Sequence, residues 1–212
     1  MLYATSMSGQ KIAATPGQRA QCPGCGEPVI SKCGQINIWH WAHESQSQCD
    51  SWSEPETLWH LQWKSLWPAE CVEISIEKQG IKHRADVLTP QGTVIELQHS
   101  SISVDEIRER ERFYGKMIWV FDIQEPYKQD YLHFNEKDAY YTFRWKHPRK
   151  HLAYTSKESL WDGGEGWLFL LKKMYSEAPC RGWGKLVQKH DFVEHHAATP
   201  AQWAAVGERV RG

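Results

Sequence analysis

The sequence of 212 residues has no apolar run of the roughly 18 residues that a membrane-spanning helix needs, which excludes that class. It also has almost no net charge. Lys and Arg number 25 against 26 Asp and Glu, leaving −1. A polycation is thereby excluded, and any affinity for nucleic acid must come from a local patch. The opening Met1-Leu2-Tyr3-Ala4-Thr5 lacks the basic start and long apolar stretch of a secretory signal, so the cytoplasm is the expected compartment. No internal repeat is present. Cysteine is sparse as a framework: Cys22, Cys25, Cys33, Cys49, Cys71 and Cys180. In a reducing compartment these are not expected to form disulfides, and the tight Cys22/Cys25 pair points to a metal.

What the chain does have is an ordinary globular balance, 41% hydrophobic and 24% charged. The length suits one large domain or a medium domain with an appendage. Tryptophan is far above common usage, at twelve residues. Most are expected as packing anchors. Base stacking, worth roughly 1–3 kcal/mol per base, is the functional alternative.

Four segments follow from the patterning: 1–50, a Gly-, Ser- and Cys/His-rich module; 51–125, a mixed α/β core; 126–196, a β-rich basic and aromatic extension; and 197–212, an Ala-rich tail. The first buries little and is expected to need a staple. A helix is predicted from Glu56 to Trp67, with Trp59, Trp63, Leu66 and Trp67 as its apolar stripe and Pro68 as its stop. The alternation Val72, Ile74, Ile76 predicts a strand. Arg84 to Leu88 and Thr93 to Gln98 predict two more, joined by Pro90-Gln91-Gly92. Ser103 and Glu106 form a capping box that opens a helix to about Tyr114. Met117 to Phe121 predicts an interior strand covered on both faces. Trp167 to Lys173 is read as strand.

Cys22-Pro-Gly-Cys25 is a knuckle that converges two thiols, and His40-Trp-Ala-His43 offers two imidazoles if it forms a helical turn. Together they predict a tetrahedral zinc site with no open position, hence structural. Cys33 or Cys49 in place of one histidine is the alternative ligand set, and no bound metal the other. If Gly92 takes the left-handed position of a three-residue loop, Thr89 faces Thr93 and Asp86 faces Glu96. Opposed carboxylates there would stand roughly 4.5–5.5 Å apart and repel. A shared proton, Arg84 or a divalent cation would offset this, and magnesium suits two carboxylates with waters and a phosphate. A solvated face neutralised by Arg84 is the plain alternative. Glu56, His60 and Lys64 share one polar helical stripe, which would let Glu56 overhang the acid pair.

The order of these pieces resembles the competence protein CoiA-like family, a branch of the PD-(D/E)XK nucleases. The resemblance runs from Cys22 to about Asp122. It is carried by Cys22-Pro-Gly-Cys25-Gly, His40-Trp-Ala-His43, the helix Glu56 to Lys64, Arg84-Ala-Asp86-Val, Ile95-Glu96-Leu-Gln98-His-Ser100 and Ile102 to Glu106. It implies a restriction-endonuclease-like α/β core (mixed α+β) that hydrolyses DNA. Asp86, Glu96 and the Leu97 carbonyl would bind Mg²⁺, with Mn²⁺ a substitute, and Glu56 would assist. Gln98 replaces the usual lysine, so it can orient a water but supplies no positive charge. Charge developing on the phosphate would fall to the metal and to Lys64, Lys82 or Arg84. A second basic stretch, with Arg144, Lys146, Arg149 and Lys150, is expected to contact DNA or to be a solvated hairpin. Two rivals remain: a zinc-stapled nucleic-acid binder without activity, and an interaction protein using its tryptophans. Oligomeric state is left open, a homodimer being one arrangement. His190, His195 and His196 are read as surface residues.

Overall fold

In the computed structural model, residues 1–36, 38–44, 49–50, 52, 56–175 and 180–197 are described. The chain divides into two units, Met1–Leu88 and Thr89–Gly212. The fold is mixed α+β. The Ala-rich tail beyond Ala197 lies outside the described residues.

The first unit starts with very short strands. β1 (Tyr3–Thr5), β2 (Lys11–Ala13), β3 (Arg19–Gln21), β4 (Pro28–Lys32) and β5 (His40–His43) form an antiparallel sheet in the order β2-β1-β3-β4-β5. Each strand contributes only one or two inward residues, and Ala4, Ala20, Cys22, Val29 and Trp41 make a small core. Such three-residue strands leave almost no period-2 signal, which is why the sequence showed no sheet here.

The expected helix is α1 (Leu58–Lys64). Thr57 caps it, its hydroxyl accepting from the His60 N–H, while His60 returns the bond to the Thr57 N–H. Trp59, Trp63 and Trp67 are buried as expected, but Leu66 is 46% exposed because the helix has ended at Lys64. β6 (Val72–Lys78) and β7 (Ile81–Leu88) follow as an antiparallel hairpin. Its turn places Gln79 and Gly80 at φ 53° and 77°, the pattern of a type I′ turn that matches strand twist. β6 and the C-terminal half of β7 lie where the alternation put them.

The second unit opens with the expected turn. Thr89 N–H donates to the Thr93 carbonyl at 2.9 Å, and Gly92 sits at φ 73°. β8 (Val94–Gln98) then runs into α2 (Val104–Tyr114), which crosses over to β9 (Met117–Asp122), parallel to β8. Ser103 caps α2 by accepting from the Glu106 N–H. β9 is buried at all six positions, as its continuous apolar run implied. Beyond it come α3 (Gln124–Lys128), β10 (Leu132–Glu136), β11 (Tyr141–Trp145), β12 (Glu158–Asp162), β13 (Trp167–Tyr175), β14 (Cys180–Gln188) and α4 (Lys189–Ala197). Within this unit the sheet order is β10-β11-β14-β13-β12-β9-β8, with β12 parallel to β9 and the strands from β10 to β13 antiparallel to their neighbours. Trp119, Phe121, Trp145, Trp161 and Phe169 fill its interior, so packing accounts for most of the tryptophan excess.

Candidate functional site

In the first unit, the CxxC knuckle finds one of the two expected histidines, His43, and Cys49 in place of the other. Cys22, Cys25, His43 and Cys49 bring their ligand atoms within 4.8 Å of one another. Cys22 Sγ lies 3.4 Å from Cys49 Sγ, and Cys25 Sγ lies 3.4 Å from His43 Nε2. His40 is not in this group. The His-Trp-Ala-His segment is strand β5 rather than a helical turn, so residues three apart point to opposite faces. His43 shares the face of buried Trp41 and of Cys22, whereas His40 Nδ1 turns to the Ile38 carbonyl at 3.0 Å. Cys49 takes the vacated place because its neighbour Asp50 is tied to β7. Asp50 accepts from the Arg84 N–H at 2.8 Å and lies 2.8 Å from His83 Nδ1. Among the alternatives weighed from sequence, Cys49 for one histidine is the set that is assembled.

Three thiols and one imidazole suit a metal such as zinc in a closed, structural site. Gly24 permits the approach: a side chain there would meet Cys49 Sγ at 3.0 Å. Burial opposes the Cys22 thiolate, but the N–H groups of Cys25 and Gly24, the Cys49 thiol and Arg84 outweigh it and lower its pKa. Burial, reinforced by Cys22, pushes the Cys49 thiol up to about 12. A bound cation would favour the thiolate form of its cysteine ligands.

The acidic residues of the first unit converge on one ammonium. Lys64 Nζ is 2.6 Å from Glu56, 3.0 Å from Asp86 and 3.2 Å from Glu73. Its side chain is only 3% exposed. Burial alone would depress the Lys64 pKa, yet Asp86, Glu56 and Glu73 hold it above the ordinary lysine value. Burial likewise opposes ionisation of Glu56, but Lys64 and the chain's terminal ammonium, at 2.6 Å, keep its pKa well below the carboxylate range. Asp86 and Glu56 remain 20% and 17% exposed, so the cluster opens to solvent on their side.

Glu73 went unnoticed in the sequence because it read as an outward residue of an alternating strand. It is instead buried, at φ 54°, and also accepts from the Leu2 and Tyr3 N–H groups at 3.1 Å each. A non-glycine residue held in that region costs about 1–3 kcal/mol. Lys82 and Arg84, expected as phosphate contacts, are occupied structurally. Lys82 donates to the Gly24 carbonyl at 3.2 Å, and the Arg84 guanidinium lies against Met1 Sδ and Cys22 Sγ.

In the second unit Glu96 is buried on β8 and accepts from Arg110 Nη1 at 3.0 Å. Arg110 is held in turn by Glu106, at 2.5 Å and 3.1 Å, and its guanidinium lies over the Trp119 ring at 5.9 Å. Sequence reasoning missed Arg110, although Glu106 and Arg110 stand at the helical i, i+4 spacing that marks such pairs. Gln98 is fully buried, its amide donating to the Ser100 carbonyl at 3.2 Å. Next to it His99 Nδ1 lies 2.7 Å from Asp122 Oδ2, and Arg149 Nη1 donates to both their carbonyls. Arg149 is thus committed to the ends of β8 and β9. Arg144, Lys146 and Lys150 are exposed.

Two family models match the chain. One, described as the N-terminal domain of competence protein CoiA, covers residues 5–51. The other, described as the nuclease-like domain of competence protein CoiA, covers residues 61–162. The chain belongs to the CoiA-like competence protein family. Its nuclease-like domain fits a PD-(D/E)XK-like core carrying a β-rich extension. The match runs to residue 162, past the Asp122 at which the motifs thin out, so α3, β10, β11 and β12 belong to the nuclease-like domain as the family has it. No curated protein and no solved structure matches the chain. No helix among the described residues is long and apolar enough to cross a membrane.

Proposed function

We propose that this CoiA-like protein is a Mg²⁺-dependent nuclease that hydrolyses phosphodiester bonds of DNA, with Mn²⁺ able to substitute. The observation that carries the reading is the gathering of Glu56, Glu73 and Asp86, from three separate segments, around Lys64 Nζ in a chain with a nuclease-like domain. A cluster of this kind is a poor way to gain stability, since desolvating charges costs several kcal/mol per ion. A partly accessible carboxylate with a depressed pKa, as at Glu56, is a mark of functional sites.

Asp86, Glu96 and the Leu97 carbonyl are the proposed magnesium ligands. They form an all-oxygen set of the kind this hard cation prefers. When bound, the ion supplies a water of lowered pKa and offsets charge developing on the phosphate. The chain's own residues do the rest. Lys64 pairs with Glu56 and Asp86 and supplies the fixed positive charge that Gln98 lacks. Glu56, kept as a carboxylate, orients the attacking water. Gln98 positions that water through its amide and cannot act as a base. Arg110 keeps Glu96 in one rotamer. The Cys22, Cys25, Cys49 and His43 cluster holds zinc and staples the N-terminal sheet. Arg144, Lys146 and Lys150 remain as DNA contacts, and DNA uptake is the setting that the family name favours.

Cleavage of plasmid and oligonucleotide DNA with and without Mg²⁺ tests this. Asp86→Ala and Glu96→Ala should each abolish Mg²⁺-dependent cleavage with the circular dichroism spectrum preserved. Undiminished cleavage by either variant refutes the assignment. One observation favours the rival, a binding protein without activity: Asp86 and Glu96 already have cationic partners, Lys64 and Arg110. That reading predicts retained DNA binding and no cleavage with any divalent metal.

A further inference from the structure

The exposed face of the second unit's outer strands carries a pattern that the nuclease chemistry does not use. On β11 and β14, Arg144 stands directly opposite Arg181, and Thr142 opposite Trp183. On the other side of β14, Tyr175 faces Arg181 and Lys173 faces Trp183. Lys185 follows Trp183 by two residues and points the same way. Like charges placed opposite each other destabilise a sheet, yet neither arginine has an ion pair among the described residues. No acidic side chain stands among these strand positions.

Between the cations lie exposed rings. Trp183 is 38%, Tyr140 41% and Tyr175 47% exposed, although a tryptophan is usually buried. Tyr140 meets Trp183 edge-on at 5.9 Å, and Lys173 Nζ lies 5.7 Å from the Tyr175 ring. Together with Arg144 and Arg181 these rings line a groove of about 620 Å³. The platform beneath is rigid. Gly182 and Gly184 occupy the inward positions of β14, where an added Cβ would come within 2.7 Å of the Phe143 and Phe169 rings respectively. The aromatic core therefore presses directly against the backbone that carries Arg181, Trp183 and Lys185.

We infer that this face binds unpaired nucleic-acid strand, the bases stacking on Trp183, Tyr175 and Tyr140 and the phosphates lying on Arg144, Arg181 and the flanking lysines. Charge complementarity selects a polyanion. The rings select unpaired bases, because a duplex offers no free π-face to stack on. Among the described residues, the groove lining has none of the aliphatic side chains that a groove for an apolar protein partner would present. The inference deepens the proposed nuclease by naming its substrate as single-stranded, and rests on that reading only for what happens to the strand afterwards.

Fluorescence anisotropy of the full-length protein with labelled oligothymidylate of about fifteen nucleotides tests it. No divalent cation is added, so the strand stays intact, and no chelator, so the thiol cluster keeps its metal. Trp183→Ala should weaken binding about tenfold, while Trp183→Phe, which keeps a stacking ring, should restore most of it. Arg144→Glu with Arg181→Glu should lower the slope of log affinity against log salt by about 1.4, at roughly 0.7 per phosphate contact on a single strand. A hairpin duplex should bind more weakly and be indifferent to Trp183→Ala. Affinity and salt slope unchanged in the folded variants, checked by circular dichroism, overturn the inference. So does a duplex that binds as tightly and suffers equally from Trp183→Ala. Oligouridylate run alongside separates RNA from DNA, and preference for either over duplex supports the proposal. Binding that depends on this face in a protein that never cleaves DNA would sink the nuclease and leave the platform standing. Cleavage of single strands unaffected by these variants would do the reverse.

Discussion

Replacing Lys64 by methionine keeps the side chain's length and removes its charge. In the native protein the ammonium contacts Glu56, Asp86 and Glu73 at 2.6, 3.0 and 3.2 Å while only 3% exposed. Without it, three carboxylates are left facing one another at the same point. Removing one partner of a buried ion pair costs about 3–5 kcal/mol, and here the loss should fall at the upper end because three acids are orphaned together. The pH dependence fixes the mechanism. Burial opposes the Glu56 charge and Lys64 more than offsets this, so its folded pKa lies below the unfolded value. Such a group contributes stability that is present above an unfolded pKa of about 4.3 and is lost as pH falls through the folded pKa. In the variant the carboxyls should instead resist ionisation. The gap between the two proteins should therefore be widest near neutrality and close as the carboxyls protonate below about pH 4. Urea unfolding followed by circular dichroism at several pH values reads this out. A Lys64→Met protein whose unfolding midpoint matches wild type at pH 7, or whose deficit is the same at every pH, would refute the account of the cluster.

Three other outcomes follow from the same structure. Purified protein should carry about one tightly bound zinc per chain; Cys49→Ser or Cys25→Ser should lose it while His40→Ala keeps it, as measured by elemental analysis. Zinc retained by Cys49→Ser and lost by His40→Ala would restore the two-histidine site. Glu56→Gln should flatten the acid limb of the stability curve between about pH 5 and 2, since the depressed carboxyl that titrates there is gone; an unchanged limb counts against its pairing with Lys64. Gly184→Ala should destabilise by about 2 kcal/mol or more, because the new methyl collides with the Leu170 carbonyl and the Phe169 ring, and a thermal midpoint equal to wild type would show that β14 can move aside.

The parts of this fold that could be read in advance are those with a strong period or a specific turn. Val72, Ile74 and Ile76 alternate, Met117 to Phe121 is continuous, and Gly92 fits only one kind of hairpin loop, so β6, β9 and the turn after β7 lie where expected. The N-terminal sheet was invisible because strands such as Tyr3–Thr5 and Arg19–Gln21 bury a single residue each. The histidine pair misled for a related reason. At a spacing of three, the same residues converge on a helix and diverge on a strand, and four residues carry too little pattern to tell which. Cys49 was available as an alternative, but its recruitment depends on Asp50 reaching His83 and Arg84, more than thirty residues away. Contacts of that separation are not written in local pattern. Arg110 and Glu73 illustrate the same limit: one looked like a solvated helix charge and the other like an outward strand residue, and both are buried against acids or a lysine.

What unites the residues that broke the local rules is their chemistry. Glu73 accepts a left-handed backbone, Lys64 and Arg110 are buried cations, and Glu96 is a buried anion on a strand otherwise made of apolar residues and one amide. A chain selected for stability alone would gain by replacing such groups with apolar ones of similar volume, since buried pairs commonly fail to repay their desolvation. Local and global preferences usually agree in a foldable sequence, and disagreements concentrate where function requires them. In this protein they fall on the segments 84–87 and 96–98 and on the strands and helices packed against them within each unit. The same reasoning applies to Arg144 and Arg181, two like charges set opposite each other beside an exposed tryptophan. Each of these arrangements costs folding free energy, and the proposed function would account for each by an anion or cation that arrives from outside the chain.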